Sequence, residues 1–155
     1  MKNARPQNTE ASADDKLDFT PGTLPARRNT VTSSILAALL ESSALTGMDS
    51  VFKQSTTRLG AVIHRLERDY GWYIERRDIA TGTNDGRIAT ISAYWLPQAT
   101  IAKAFEAGAR SWVDSVKAAR AERRKESGKC KAQAVRMNAA RKPQDPRQSD
   151  LWGNA

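Results

Sequence analysis

Cysteine and histidine are almost missing from this chain. Cys130 stands alone, so no intramolecular disulfide can form, and His64 is the one histidine, which leaves no ligand set for a zinc site. Aromatic residues make up 6% of the 155 positions and hydrophobic ones 39%, a lean supply for a compact domain. One modest core with loose ends is the natural expectation, and the length fits one domain. Long apolar runs are lacking as well. No stretch nears the ~20 apolar residues of a membrane span, and the first residues carry no apolar leader core. The expectation is a cytoplasmic protein with no membrane association. A glycine-rich phosphate loop, paired carboxylates and a Ser/His/Asp set are all missing, so the chain reads as a non-enzyme with no cofactor and no metal. Cys130 lies between Lys129 and Lys131, which favours thiolate, but no base accompanies it to make a nucleophile. His64 adjoins an inward-facing Ile63 and reads as structural.

What the chain holds in excess is positive charge. It has 25 Lys/Arg against 17 Asp/Glu, a net charge of +8, which calls for an acidic partner, most often nucleic acid. The excess is not spread evenly. Residues 29–96 hold seven basic against seven acidic residues, whereas residues 97–142 hold twelve against four. A neutral core domain with a basic region appended is the reading.

Residues 1–28 contain Pro6, Pro21 and Pro25, scattered charge and no sustained period, so they are expected to be a disordered tail. Order should begin at Asn29 or Thr30, either a reasonable N-cap. Val31, Ile35, Leu36, Leu39 and Leu40 then mark one apolar helix face, ending at Ser42-Ser43. Thr46 followed by Asp49 resembles a capping box opening a short helix to about Lys53, with Met48, Val51 and Phe52 turned inward. Ser55 or Thr56 should cap a third helix, with Leu59, Ile63, Leu66 and Tyr70 on one face and Gly71 closing it. The period then falls to about 2. Trp72, Ile74 and Ile79 mark one strand and Ile88 to Leu96 another, joined by the turn-forming run TGTNDG, residues 81–86. Three helices and a hairpin within residues 29–96 is the element order of a winged helix-turn-helix domain.

Pro97 is a boundary. Beyond it Ile101, Phe105, Trp112 and Val116 recur at helical spacing, giving one long amphipathic helix over residues 97–127 that Ser127-Gly128 breaks. Its apolar stripe either packs on the domain or forms the seam of a homodimer. Residues 128–142 form a basic, Ala-rich arm able to become helical on binding, and residues 143–155 a flexible tail. The fold class is thus mainly α with a small β-hairpin (α+β): a winged helix-turn-helix, a long amphipathic basic helix and disordered tails.

With Leu59, Ile63 and Leu66 facing the core, the opposite stripe of the third helix is Arg58, Ala61, Arg65 and Arg68. Arginines beside small residues let a helix lie close in the major groove and bond phosphates or guanine edges. Thr57 and Gly60 would add a hydroxyl contact and close approach. The competing reading is a solvated face on which Glu67 and Asp69 dilute the charge. Arg76 and Arg77 on the hairpin's first strand and Arg87 after its turn would touch backbone phosphate or the minor groove. Arg120, Arg123, Arg124 and Lys125 could hold duplex DNA without sequence preference, in a salt-dependent way.

The segments ILAALL, ALTGMDSVFKQSTTRLGAVIHRLERDYGWYIE and DGRIATISAYWL, between Thr30 and Leu96, resemble a winged helix-turn-helix family common in bacteriophages and prophages. The likeness lies in Arg58-Leu59 opening the third helix, in Ile63 and Leu66, in Gly71-Trp72-Tyr73-Ile74-Glu75 leading into the hairpin, and in Tyr94 and Leu96. It covers about two-fifths of the chain and implies DNA binding, although winged helices also serve as protein-contact modules. Near the C-terminus, Gln148-Ser149-Asp150-Leu151-Trp152 resembles the pentapeptide by which bacterial polymerases and repair proteins dock on the β sliding clamp. Ser149 and Trp152 depart from the commoner Leu and Phe. In such a peptide Leu151 and Trp152 fill an apolar pocket while Gln148 sets the register by hydrogen bonds, with Asp150 among the protein-binding residues. The expectation is a non-enzymatic, phage-encoded DNA-binding protein acting in replication at the clamp. The rivals are a dimeric transcriptional repressor and a phage inhibitor of a host protein, anti-defence or replication-blocking.

Overall fold

The computed structural model describes residues 19–41 and 43–141. Among these, six helices accompany a small three-stranded antiparallel sheet, a mixed α+β architecture. The elements run α1 (Val31–Leu40), β1 (Leu45–Thr46), α2 (Gly47–Gln54), α3 (Leu59–Tyr70), β2 (Glu75–Gly82), β3 (Ile88–Trp95), α4 (Gln98–Glu106), α5 (Ala109–Lys125) and α6 (Ser127–Ala140).

α1 is the hub. Ile35, Leu36, Leu39 and Leu40 are fully buried, and a helix apolar on most sides must be covered on most sides. Helices α2, α3 and α5 all pack against it. Thr30 caps it, its Oγ1 accepting the Ser33 N–H at 3.1 Å. α2 opens on a full capping box: Thr46 Oγ1 accepts from Asp49 N, and the Asp49 carboxylate accepts from Thr46 N, each at 3.2 Å. Gly71 ends α3 in the left-handed region, φ 70°, as the sequence suggests.

In the sheet β3 is central, flanked by β1 and β2. Leu45 pairs with Tyr94, and β2 runs against β3 from Glu75↔Trp95 to Gly82↔Ile88. The hairpin closes on Gly86, φ 80°, whose N–H donates to Thr83 O at 3.0 Å. β1, only two residues long, carries no period for the sequence to show.

Several expectations are corrected. The segment from Phe19 to Arg28 is no free tail but a strap across the core. Thr23 N–H donates to Tyr70 O at 2.7 Å, and two indoles return the favour: Trp72 Nε1 donates to Thr23 O at 2.9 Å and Trp112 Nε1 to Pro25 O at 3.0 Å. A buried indole N–H needs an acceptor, and irregular chain with unused carbonyls can supply one where a helix cannot. The expected single helix after Pro97 is two helices, α4 and α5, bent at Gly108, φ 94°. Both keep their apolar faces inward across the bend, which is why the spacing runs on unbroken. The expected break at Ser127-Gly128 lies one residue earlier, at Glu126, and the chain stays helical to Ala140. One interior glycine costs only ~1 kcal/mol, less than the Lys-, Ala- and Arg-rich flanks can offset.

α2 faces the other way from its expected orientation. Ser50 is its buried residue, while Met48, Val51 and Phe52 are 58%, 40% and 77% exposed. The Ser50 hydroxyl lies 2.7 Å from Gly47 O and 2.9 Å from Thr56 O, tying α2 to the turn before α3. That turn passes through Ser55 at φ 55°, so Ser55 closes α2, and α3 starts at Leu59 with Arg58 as N-cap rather than from Ser55 or Thr56. Trp72 precedes β2 and is buried as a core residue rather than a strand residue.

Ile101, Trp112 and Val116 are 3%, 6% and 2% exposed within the chain, with Phe105 packed beside them under the Arg110 guanidinium. The stripe is therefore part of the core, not a dimer seam, and residues 97–125 share one core with the rest. No described helix is long and apolar enough to cross a membrane.

Candidate nucleic-acid interface

α3 presents a continuous solvent face because its three core residues, Leu59, Ile63 and Leu66, are confined to one side. Thr57, Arg58, Ala61, Arg65 and Arg68 are all exposed opposite them, with His64 exposed as well, contrary to its structural reading. The two ends of the face differ in charge. At the C-terminal end Asp69 holds two arginines, Arg68 at 2.7 Å and Arg65 at 3.5 Å. The hydrogen bond from Arg68 is the main cause that keeps the Asp69 carboxyl below its ordinary pKa and raises that of Arg68. At the N-terminal end, Arg58 has no ion-pair partner among the described residues. No side chain caps this helix and no acid lies in its first turn, so its positive dipole end faces solvent beside Arg58. The dilution weighed from the sequence is therefore real at Arg65 and Arg68 and absent at Arg58.

The hairpin splits its arginines. Residues opposite one another on paired strands share a face, so Arg76 lies with Tyr94, and Arg77 with Ala93 on the other side. Tyr94 reaches α3: its hydroxyl is 3.9 Å from the point a Cβ would occupy on Gly60. Arg76 is thus on the face that meets the start of α3, and Arg77 is not. Arg87, at the tip, is paired with Asp85 at 3.1 Å and exposed. Arg76 and Arg77, like Arg58, lack an ion-pair partner among the described residues.

The α5 arginines form a different group. Arg120 turns inward, its guanidinium donating to Ser34 Oγ, Gln54 Oε1 and the Lys53 carbonyl. Burial first, and the charge of Arg124 second, depress its pKa. It fastens α5 to α1 and α2, its donors engaged within the chain rather than turned outward as expected from the sequence. Arg123 donates to Asn29 O and Oδ1 at 3.2 and 3.3 Å, and Lys125 pairs with Glu122 at 2.6 Å. Arg28, placed in the expected tail, joins this group by donating to Ser115 Oγ at 2.8 Å. Its signal in the sequence was position, immediately before the capped start of α1. α6, with Lys129, Lys131 and Arg136, buries no residue at all. Gln148, Asp150, Leu151 and Trp152 lie outside the described residues. Cys130 is a free, exposed thiol, and no cluster of potential metal ligands occurs among the described residues.

The exposed arginines and the uncapped start of α3 give this surface hydrogen-bond donors and positive charge. No family model, curated protein or solved structure matches this chain.

Proposed function

We propose that this chain is a non-enzymatic, phage-encoded DNA-binding protein of winged helix-turn-helix type that docks on the bacterial sliding clamp and acts in DNA replication. The observation that carries the DNA reading is the α3 face, where Arg58, Ala61 and Arg65 are exposed beside an uncapped helix N-terminus. A helix of this kind fits the major groove, with its first turn toward base edges or phosphate. The strand order β1-β3-β2 and the placing of Arg76 beside α3 support a hairpin that touches the flanking backbone. The dimeric-repressor reading loses its support, because the residues offered as its seam are spent on the core.

The clamp reading rests on Gln148, Asp150, Leu151 and Trp152, in a Pro-bounded terminal segment. Two adjacent large apolar side chains in a polar tail have a use if a partner's pocket receives them. A direct test titrates the full chain separately with purified β clamp and with duplex DNA. The wild type should bind the clamp with micromolar affinity. Gln148→Ala/Leu151→Ala/Trp152→Ala should abolish that binding and leave DNA affinity within twofold. Unchanged clamp binding in the triple variant rules out this peptide as the docking site, and none in the wild type rules the clamp out.

A further inference from the structure

A cleft of about 320 Å³ opens between the start of α1 and the outer half of α5. Four arginines are among its lining residues: Arg28, Arg120, Arg123 and Arg124. Among the described residues no Asp or Glu lines it, whereas two lysines of the same helix, α5, do have acidic partners, Lys117 in Glu41 and Lys125 in Glu122. The charge of Arg124 acts unfavourably on Arg120, and an anion among these arginines would offset that repulsion. The protein's own bonds fix three of the four in place. Arg120 is held by Ser34 and Gln54, Arg123 by Asn29, and Arg28 by Ser115. Arg124 has no partner among the described residues. The first turn of α1 contains no acid either, so its dipole adds to the positive potential.

We propose that this cleft binds a small molecule carrying a pyrophosphate group. Guanidinium forks match phosphate oxygens in pairs, and several arginines around one cleft call for several negative charges on one ligand. The volume is in the range of small-ligand sites and exceeds one phosphate group, leaving room for the remainder of the molecule beside Val31 and Val116. None of the lining residues belongs to α3 or the hairpin, so this site is separate from the proposed DNA face.

The test is calorimetric titration of the full chain with inorganic pyrophosphate and with ADP, at fixed ionic strength, beside orthophosphate and chloride. The variants are Arg28→Gln/Arg124→Gln in the cleft and Arg58→Gln/Arg65→Gln on α3, matched in charge. Arg120 is left intact because it holds the helices together. Pyrophosphate should bind to the wild type and the α3 variant alike, and at least tenfold more weakly to the cleft variant. With no ligand, the cleft variant should melt no lower than the wild type, since it relieves repulsion. Equal affinity in all three proteins, equal weakening in both variants, or no binding to the wild type would overturn the site. So would a tenfold loss of duplex DNA affinity in the cleft variant without pyrophosphate binding, which would make these arginines part of the DNA surface.

Discussion

Gly22 shows how one residue can tie down a segment that looks like tail. A Cβ there would lie 2.4 Å from Tyr70 O and 2.7 Å from Trp72 Cδ1, so only glycine lets the strap pass this close to the end of α3. Gly22→Ala should destabilise the fold by about 1–3 kcal/mol, read as a lower urea midpoint, with tryptophan fluorescence shifted to the red. Asp49 makes a second residue-level case. Its bonds to Thr46, and then its pairing with Lys53 at 3.0 Å, hold its carboxyl below the ordinary 3.8. A carboxyl with a lowered folded pKa stabilises the protein above its unfolded value, and the contribution disappears as pH falls through the folded one. Asp49→Ala should therefore cost about 1 kcal/mol at neutral pH, and the gap to wild type should narrow as pH falls below the ordinary carboxyl range and through the lowered folded pKa. The sequence showed this box plainly because both partners sit three residues apart. It could not show Arg120 turning inward, because its acceptors, Ser34, Gln54 and Lys53, come from two other helices.

At the scale of elements, legibility followed the apolar period. α1 and α3 announce themselves by residues that do bury, and the hairpin by its Asp85-Gly86 turn and β-branched strands. α2 misled, since Met48, Val51 and Phe52 keep a helical period while facing solvent. Its position is fixed by a serine hydroxyl and by the turn into α3, neither of which periodicity reports. α4 and α5 read as one because a bend at Gly108 leaves both stripes aimed at the same core. α6 stands at the other extreme: regular in backbone, yet with no buried side chain. A helix without packing is marginal in water, so its stability rests on local propensity alone. In hydrogen exchange, amides of residues 128–140 should exchange at least a hundredfold faster than those of residues 112–119. Adding duplex DNA should slow exchange in α6 if the basic arm lies along the backbone. Protection of α6 equal to that of α5 in the free protein would show that it packs against something.

For the whole molecule, charge distribution orders the account. The twelve basic residues of 97–142 looked from the sequence like a single DNA-binding appendage. Those among the described residues divide between the outer faces of α4 and α5, the cleft beside α1 and the exposed α6, while the apolar residues of 97–125 belong to the same core as the helices before them. The candidate DNA face was legible because it lies on one helix, whose exposed side follows from its buried side. The cleft was not, since it joins Arg28 to arginines almost a hundred positions away.

The most direct measurement of the central claim is the affinity of the full chain for duplex DNA, by fluorescence anisotropy at two salt concentrations. Arg58→Ala/Arg65→Ala is compared with Lys103→Ala/Arg110→Ala, which removes equal charge from α4 and α5. Binding should weaken steeply with salt, with at least a tenfold loss for the α3 variant and less than a threefold loss for the control. Equal losses in the two variants would mean that net charge alone attracts DNA, and the claim for α3 would fail.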